Sequence, residues 1–247
     1  MSTLLVDMGN SKLKWAMMST TGELSPVQSM PLSSLSEGSW TMTARPERIF
    51  VSCVSSQQDK QAFINFAQLK WQHTPEFLVS PAKGSGIINA YAEPSRLGSD
   101  RWAAMVAAYH ATRAAVLVVD AGTALTIDAI DDQGQHRGGL IFPGLNLSLN
   151  LLEIGTQIEF TSDLTISGKD MFFGRSTETG IVSGARHAIG SLIDRAYNQL
   201  AVMNQSGAPV CHLTGGDAVQ IKDALQCKCT LDPALVLKGL ALIAIAL

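Results

Sequence analysis

Two short loops with the same chemistry lie 113 residues apart in this chain, each at the end of an apolar run that reads as a buried strand. The first, Asp7-Met8-Gly9-Asn10-Ser11, follows Thr3-Leu4-Leu5-Val6. The second, Asp120-Ala121-Gly122-Thr123, follows Ala115-Val116-Leu117-Val118-Val119. A glycine-containing turn lets backbone N–H groups approach a phosphate, and the adjacent carboxylate can hold a cation or its hydration shell. One such loop reads equally well as an Asp-Gly hairpin turn. Two of them, each followed by a hydroxyl residue, point to a duplicated phosphate-handling fold with a nucleotide between its halves.

The repeat continues past the loops. Leu13-Lys14-Trp15-Ala16-Met17 and a turn at Thr20-Thr21-Gly22-Glu23 follow the first. Ala124-Leu125-Thr126-Ile127-Asp128-Ala129-Ile130 and a turn at Asp131-Asp132-Gln133-Gly134 follow the second. The turn glycines fall 15 and 14 residues after the aspartates, so each half reads as strand, loop, strand, hairpin turn, strand. The likeness between halves is architectural more than residue by residue.

A chain of 247 residues accommodates two modest domains, and the duplication favours residues 1–114 and 115–247. With 46% hydrophobic and 16% charged residues it reads as a well-buried globular protein. A net charge of −3, with no local block of Lys or Arg, disfavours nucleic acid as a partner. Asp7 interrupts the N-terminal apolar stretch, so no secretory signal is expected. The apolar run from Leu235 to Leu247 is too short to span a bilayer and reads as a buried helix. Four cysteines without framework or zinc spacing point to reduced thiols in a cytoplasmic protein.

Further elements follow from periodicity and punctuation. Strands are expected over Arg48–Val54, Glu76–Val79 and Val210–Thr214. Helices are expected over Gln58–Lys70, from Ser99 through Tyr109, over Leu145–Leu152, from near Ser176 to Met203, and over Asp217–Leu225. In the long helix from Ser176, the apolar face is Ile181, Ala185, Ala188, Ile189, Leu192, Ile193, Ala196 and Leu200. Gly138 to Gly144 reads as a close-approach bend, and Thr161 to Gly168 as a loop. Strands alternating with helices, with hairpins among them, give an α/β class with mixed sheets.

Asp7 to Lys14 supplies a carboxylate, a flexible backbone, an amide, a hydroxyl and ammonium groups within eight residues, an inventory suited to a polyphosphate. Lys12 and Lys14 share one strand face, opposite Ser11, Leu13 and Trp15. The Leu213-Thr214-Gly215-Gly216-Asp217 turn lies at a strand end, where ligands of α/β folds collect. Gly98-Ser99-Asp100-Arg101 pairs a carboxylate with a guanidinium beside a glycine, which makes Asp100 a candidate general base. The same peptide is also a sound helix start with a local ion pair. His110, His187 and His212 have no nucleophile motif beside them and read as core or surface residues.

In this order and spacing, six peptides resemble those of the type III pantothenate kinases, bacterial enzymes of the acetate and sugar kinase, Hsp70 and actin superfamily. They are Asp7 to Lys14, Gly98 to Arg101, Asp120 to Ala124, Gly139 to Gly144, Gly174 to Thr177 and Leu213 to Asp217. The resemblance covers essentially the whole chain. It implies two ribonuclease H-like domains, a duplicated actin-like fold with ATP in a central cleft. It also implies transfer of the γ-phosphate to the primary alcohol of pantothenate, towards coenzyme A.

Carried over residue by residue, the resemblance makes Asp100 the proton acceptor. ATP contacts fall on Asp7, Met8, Gly9, Asn10, Ser11, Lys12, Leu13, Lys14, Thr123, Gly215 and Gly216. Pantothenate contacts fall on Tyr91, Gly98, Ser99, Asp100, Arg101 and Thr177. Asp120 binds a monovalent cation, potassium or ammonium, and Asp7 meets magnesium directly or through water. The family is dimeric, which implies a homodimer, and no membrane or nucleic-acid partner is expected of the chain. Ser11 stands where threonine is commoner, and Met8 where an aliphatic residue is; a hydroxyl is kept at the first. Two other readings stay open from the residues alone: a non-catalytic regulatory relative, and a kinase of the same superfamily with another hydroxyl or carboxylate acceptor.

Overall fold

The computed structural model describes residues 2–37, 40, 45–156, 172–204 and 207–247. The expected loop from Thr161 to Gly168 lies outside them. In chain order the elements begin with β1 (Thr3–Met8), β2 (Lys12–Met18), β3 (Gln28–Pro31) and β4 (Arg48–Cys53). They continue with α1 (Gln57–Trp71), β5 (Glu76–Phe77), β6 (Lys83–Gly84), β7 (Ile87–Ile88) and α2 (Ser99–Thr112). Then come β8 (Val116–Ala121), β9 (Ala124–Ile130), β10 (His136–Pro143), α3 (Leu145–Gly155) and α4 (Thr177–Met203). The last are β11 (Val210–Thr214), α5 (Ala218–Lys222), β12 (Cys229–Leu231) and α6 (Leu235–Ala246).

Two compact units result: Met1–Ala111 together with Ala234–Leu247, and Thr112–Pro233. The first holds a sheet in the order β3-β2-β1-β4-β5 and the second a sheet in the order β10-β9-β8-β11-β12, the same topology twice. In each, the central strand pairs antiparallel with the strand that follows it and parallel with a later one. The sheets are therefore mixed, as the hairpin turns require.

The one-residue difference between the repeats sits wholly in the loops. Gly9 N–H donates to the Lys12 carbonyl at 3.1 Å, whereas Gly122 N–H donates to the Ala124 carbonyl at 3.2 Å, closing a turn one residue shorter. Beyond it, Lys12 to Gly22 and Ala124 to Gly134 are the same length.

β1 is buried along its whole length because both its faces are covered. One face meets Trp40, Phe63 and Trp71 in the core of the first unit. α6 contacts β1, β4 and β2 and is buried nearly all round, the pattern of a helix with apolar neighbours on every side. Gly239 lets it lie directly on α2, since a Cβ there would overlap the Ala103 carbonyl. The last 14 residues thus pack with the first unit, whereas the sequence boundary assigns them to 115–247. Duplication places a boundary between repeats; packing places it where the apolar helix finds its partner.

Several local expectations change. Gly138 to Gly144 is mostly the edge strand β10, with a bulge between His136 and Gly139 where Gly138 takes φ +97°. The strand expected over Glu76–Val79 keeps only Glu76–Phe77, and the helix expected to Leu225 ends at Lys222. β12, which the sequence reading lacks, pairs in parallel with β11. In α4 Ala188 is exposed, and Val182 and Gly190 are buried instead. Gly190 takes that place because a Cβ there would stand 2.7 Å from the Ala224 carbonyl oxygen. All four cysteines are free thiols; a hydrogen bond with Cys227, and then burial, push the Cys211 thiol far up from its usual range.

Candidate active site

In the first unit, Asp7 lies one residue before the end of β1 and is 9% exposed. Its register partners are Lys14 on β2 and Ser52 on β4. Beyond it the loop opens to solvent: Asn10, Ser11 and Lys12 are exposed, while Met8 and Leu13 are buried. Alternation does what the sequence implies, with Leu13 and Trp15 turned into the core and Lys12 and Lys14 on the other face.

The helix bearing Asp100 is tied to that same strand edge. Ser99 is buried, and its hydroxyl accepts from the Cys53 backbone N–H at 3.0 Å and meets the Ser52 hydroxyl at 3.0 Å. Ser52 is the strand neighbour of Asp7, so one serine anchors the start of α2 beside the first loop. The cap is Gly98, whose carbonyl accepts the first helical bond from Trp102 N–H. A Cβ on Gly98 would come within 2.6 Å of Asp100 Oδ1. That oxygen instead accepts from Arg101 N–H at 2.7 Å, and Asp100 stays half-buried in the first helical turn. Negative charge is stabilised there by the helix dipole.

Arg101 is 7% exposed, and its Nη1 donates to the Tyr91 hydroxyl at 2.9 Å. Tyr91 is placed by Asn89. The Asn89 Oδ1 accepts from Tyr91 N–H at 3.0 Å, and its Nδ2 donates to the carbonyls of Pro81 and Pro94 at 3.1 and 3.3 Å. The sequence reading passes over Asn89; its signal is an asparagine two residues before Tyr91, the spacing of an Asx turn.

The second unit builds a related edge. Asp120 is half-buried, one residue before the end of β8, opposite Thr126 and Thr214. Two glycine segments press on its loop. Gly144 N–H donates to the Thr123 carbonyl at 3.0 Å, and Asp217 N–H donates to the Ala121 carbonyl at 2.9 Å. A Cβ on Gly144 would overlap the Gly122 carbonyl, and one on Gly215, at φ +100°, would overlap the Ala121 backbone. Gly216 is different: a Cβ there would meet nothing within 4 Å.

A family model described as type III pantothenate kinase matches residues 3–199 of this chain. A type III pantothenate kinase from Cellvibrio japonicus (strain Ueda107) is 34% identical over 247 residues, spanning 96% of this chain and 94% of its own. The chain belongs to the type III pantothenate kinase family.

Solved structures agree on the fold. A Campylobacter jejuni protein described as belonging to a Baf family of transcriptional activators is similar with a TM-score of 0.63, at 20% identity, over 98% of each chain. The activator of the 2-hydroxyisocaproyl-CoA dehydratase from Clostridium difficile is similar with a TM-score of 0.54, at 10% identity, over 100% of this chain and 95% of its own. The fold is the duplicated actin-like one, with two ribonuclease H-like domains of mixed sheet.

Within this pantothenate kinase family member, the first unit brings together Asp7 to Lys14, Tyr91 and Gly98 to Arg101. The second carries Asp120, Thr123, Gly215 and Gly216. Thr177 is also on the second unit, exposed at the first position of α4. It lies within a capping box in which Ser176 Oγ accepts from Thr179 N–H and Thr179 Oγ1 accepts from Ser176 N–H. Within Gly98–Arg101 the Asp100 carboxylate takes the Arg101 backbone N–H, and the Arg101 guanidinium donates to the Tyr91 hydroxyl. His212 is buried, His110 is exposed, and His187 packs on Phe172 at 4.5 Å. No helix among the described residues is long and apolar enough to cross a membrane.

Proposed function

We propose that this chain phosphorylates the primary hydroxyl of pantothenate with ATP, giving 4′-phosphopantothenate and ADP on the way to coenzyme A. One observation carries the reading. Ser99 fastens the helix of Asp100 to the strand beside Asp7, so a proton acceptor and a phosphate loop share one border of the first unit.

Asp100 accepts the hydroxyl proton as the acceptor oxygen forms its bond to the γ-phosphorus and the bond to the ADP oxygen breaks. Arg101, held by Tyr91, fits the acceptor's carboxylate, for which a guanidinium fork is suited. Gly98 and Ser99 give that acceptor backbone approach, and Thr177 supplies a hydroxyl. Asp7 to Lys14, Thr123, Gly215 and Gly216 hold the nucleotide.

Among the described residues no group of three or more His, Cys, Asp or Glu is placed to hold a metal unaided. Magnesium fits such a site, since it takes one or two carboxylates together with substrate phosphates and water. Asp7 would hold it, directly or through water, and Asp120 a potassium or ammonium ion; bound there, the cations neutralise phosphate charge. The protein acts as a homodimer in the cytoplasm. An exposed apolar run supports the dimer: Leu140, Ile141 and Phe142 on the edge strand β10, with Leu147, Leu151 and Ile154 on α3.

A coupled assay with ATP, magnesium, potassium and a panel of hydroxyl and carboxylate acceptors tests the reading. Turnover with pantothenate above every other acceptor is expected, and lower turnover with sodium in place of potassium. Turnover only with a sugar or acetate, or none at all, overturns it.

A further inference from the structure

Three segments meet around the second loop, and two of the three junctions are backbone hydrogen bonds. Gly144 N–H joins the start of α3 to Thr123, and Asp217 N–H joins the Gly215-Gly216 turn to Ala121. The third junction is made by side chains: Asn146 Nδ2 donates to Asp217 Oδ1 at 2.8 Å. Asp217 stands at the N-cap of α5, yet its carboxylate makes no capping bond there. It is 9% exposed, whereas Asn146 lies at the open rim of α3. The carboxylate links α3 to the glycine turn. Gly216, next in the turn, faces open space.

We propose that Asn146 is a positioning residue for the nucleotide. Through Asp217 it fixes the spacing between α3 and the Gly215-Gly216 turn, and that spacing decides how well the turn receives the nucleoside of ATP. Backbone bonds hold each segment to the loop between them, and the Asn146–Asp217 bond ties the outer two to each other. The inference rests on ATP being a substrate of this chain.

The test uses the full chain, with ATP·Mg binding measured by calorimetry without acceptor, and steady-state kinetics with pantothenate. Loss of a hydrogen bond to a charged group is felt at about tenfold or more. Asn146→Ala is expected to raise the Kd and KM for ATP about tenfold. Its kcat at saturating ATP and its KM for pantothenate stay near the native values. Asn146→Asp, which sets two carboxylates face to face, binds ATP more weakly still. The double variant N146D/D217N reverses donor and acceptor and restores affinity, and D217N alone, which keeps an acceptor oxygen without its charge, falls between native and N146A.

A native Kd for ATP in N146A, or a double variant no better than N146D, overturns the proposal. If N146D fails to fold, N146A decides it alone. If the native chain binds ATP but phosphorylates no pantothenate, the functional reading falls while the calorimetry still judges Asn146. If it binds no ATP, both fall.

Discussion

At Asp100 the chemistry and the backbone are hard to separate, because the same carboxylate oxygen that would take a proton already receives Arg101 N–H at 2.7 Å. Asparagine keeps an acceptor for that N–H and removes the basicity. Asp100→Asn is therefore expected to fold and bind ATP normally while kcat falls by about 10²-fold or more, the scale of a lost general base. Calorimetry beside steady-state kinetics checks both halves; full turnover would remove Asp100 from the mechanism. The peptide around it was legible in the sequence as a helix start with a carboxylate and a guanidinium. What it could not yield was the contact of Arg101 with Tyr91, which stands ten residues back, on a loop ordered by Asn89. Residues that act through a loop carry no motif of their own.

Elements repeat that lesson with short strands and non-local ties. Twin strand-loop-strand hairpins were readable because strong alternation and turn glycines are local signals. β12 and β5, of three and two residues, were missed or overextended because parallel pairing supplies most of their order, and pairing is not written within them. The loop carrying Tyr91 is a similar case, held by the bonds of Asn89 to Pro81, Pro94 and Tyr91. Asn89→Ala leaves those carbonyls without their donor and frees Tyr91. It is expected to raise the KM for pantothenate at least about fivefold while the KM for ATP stays within about twofold, from the loss of buried hydrogen bonds worth ~1–3 kcal/mol. Equal rises in both constants would show that the loop serves the whole fold and not the acceptor.

Arg48 shows the electrostatic side of the same scale, joining β4 to Glu76 of β5 at 2.7 Å and to the Ala244 carbonyl of α6 at 2.9 Å. The hydrogen bond from Arg48 holds the Glu76 carboxyl below its usual value. A depressed carboxyl stabilises the fold above its unfolded pKa and loses that contribution as pH falls through the folded value. Glu76 is half open to water, so the loss amounts to about 0.2–1 kcal/mol. Melting curves of Glu76→Gln should differ from native at neutral pH and converge with it in acid; a constant gap would rule the pair out.

For the whole molecule, duplication told the truth about topology and not about packing. Two sheets of identical strand order follow from the repeat, yet the terminal helix joins the first unit because β1, β4 and α2 offer it apolar surface on all sides. A surface left uncovered has the opposite meaning. Leu140 at 44%, Ile141 at 65% and Phe142 at 41% exposure sit on β10, the edge of its sheet among the described residues. Water is a poor long-term neighbour for such an edge, since it invites pairing with another chain. The proposed dimer satisfies it if two copies join through this face. Ile141→Asp adds a charge there and leaves Asp7, Asp100 and Asp120 unchanged in sequence. The native chain is expected to sediment as a dimer and the variant as a folded monomer, with a dissociation constant raised about 100-fold, in the range of a disrupted interface anchor. Sedimentation of the native chain as a monomer would end the proposed dimer. A variant still dimeric at the native concentration would move the interface elsewhere, and the edge strand would then need another cover.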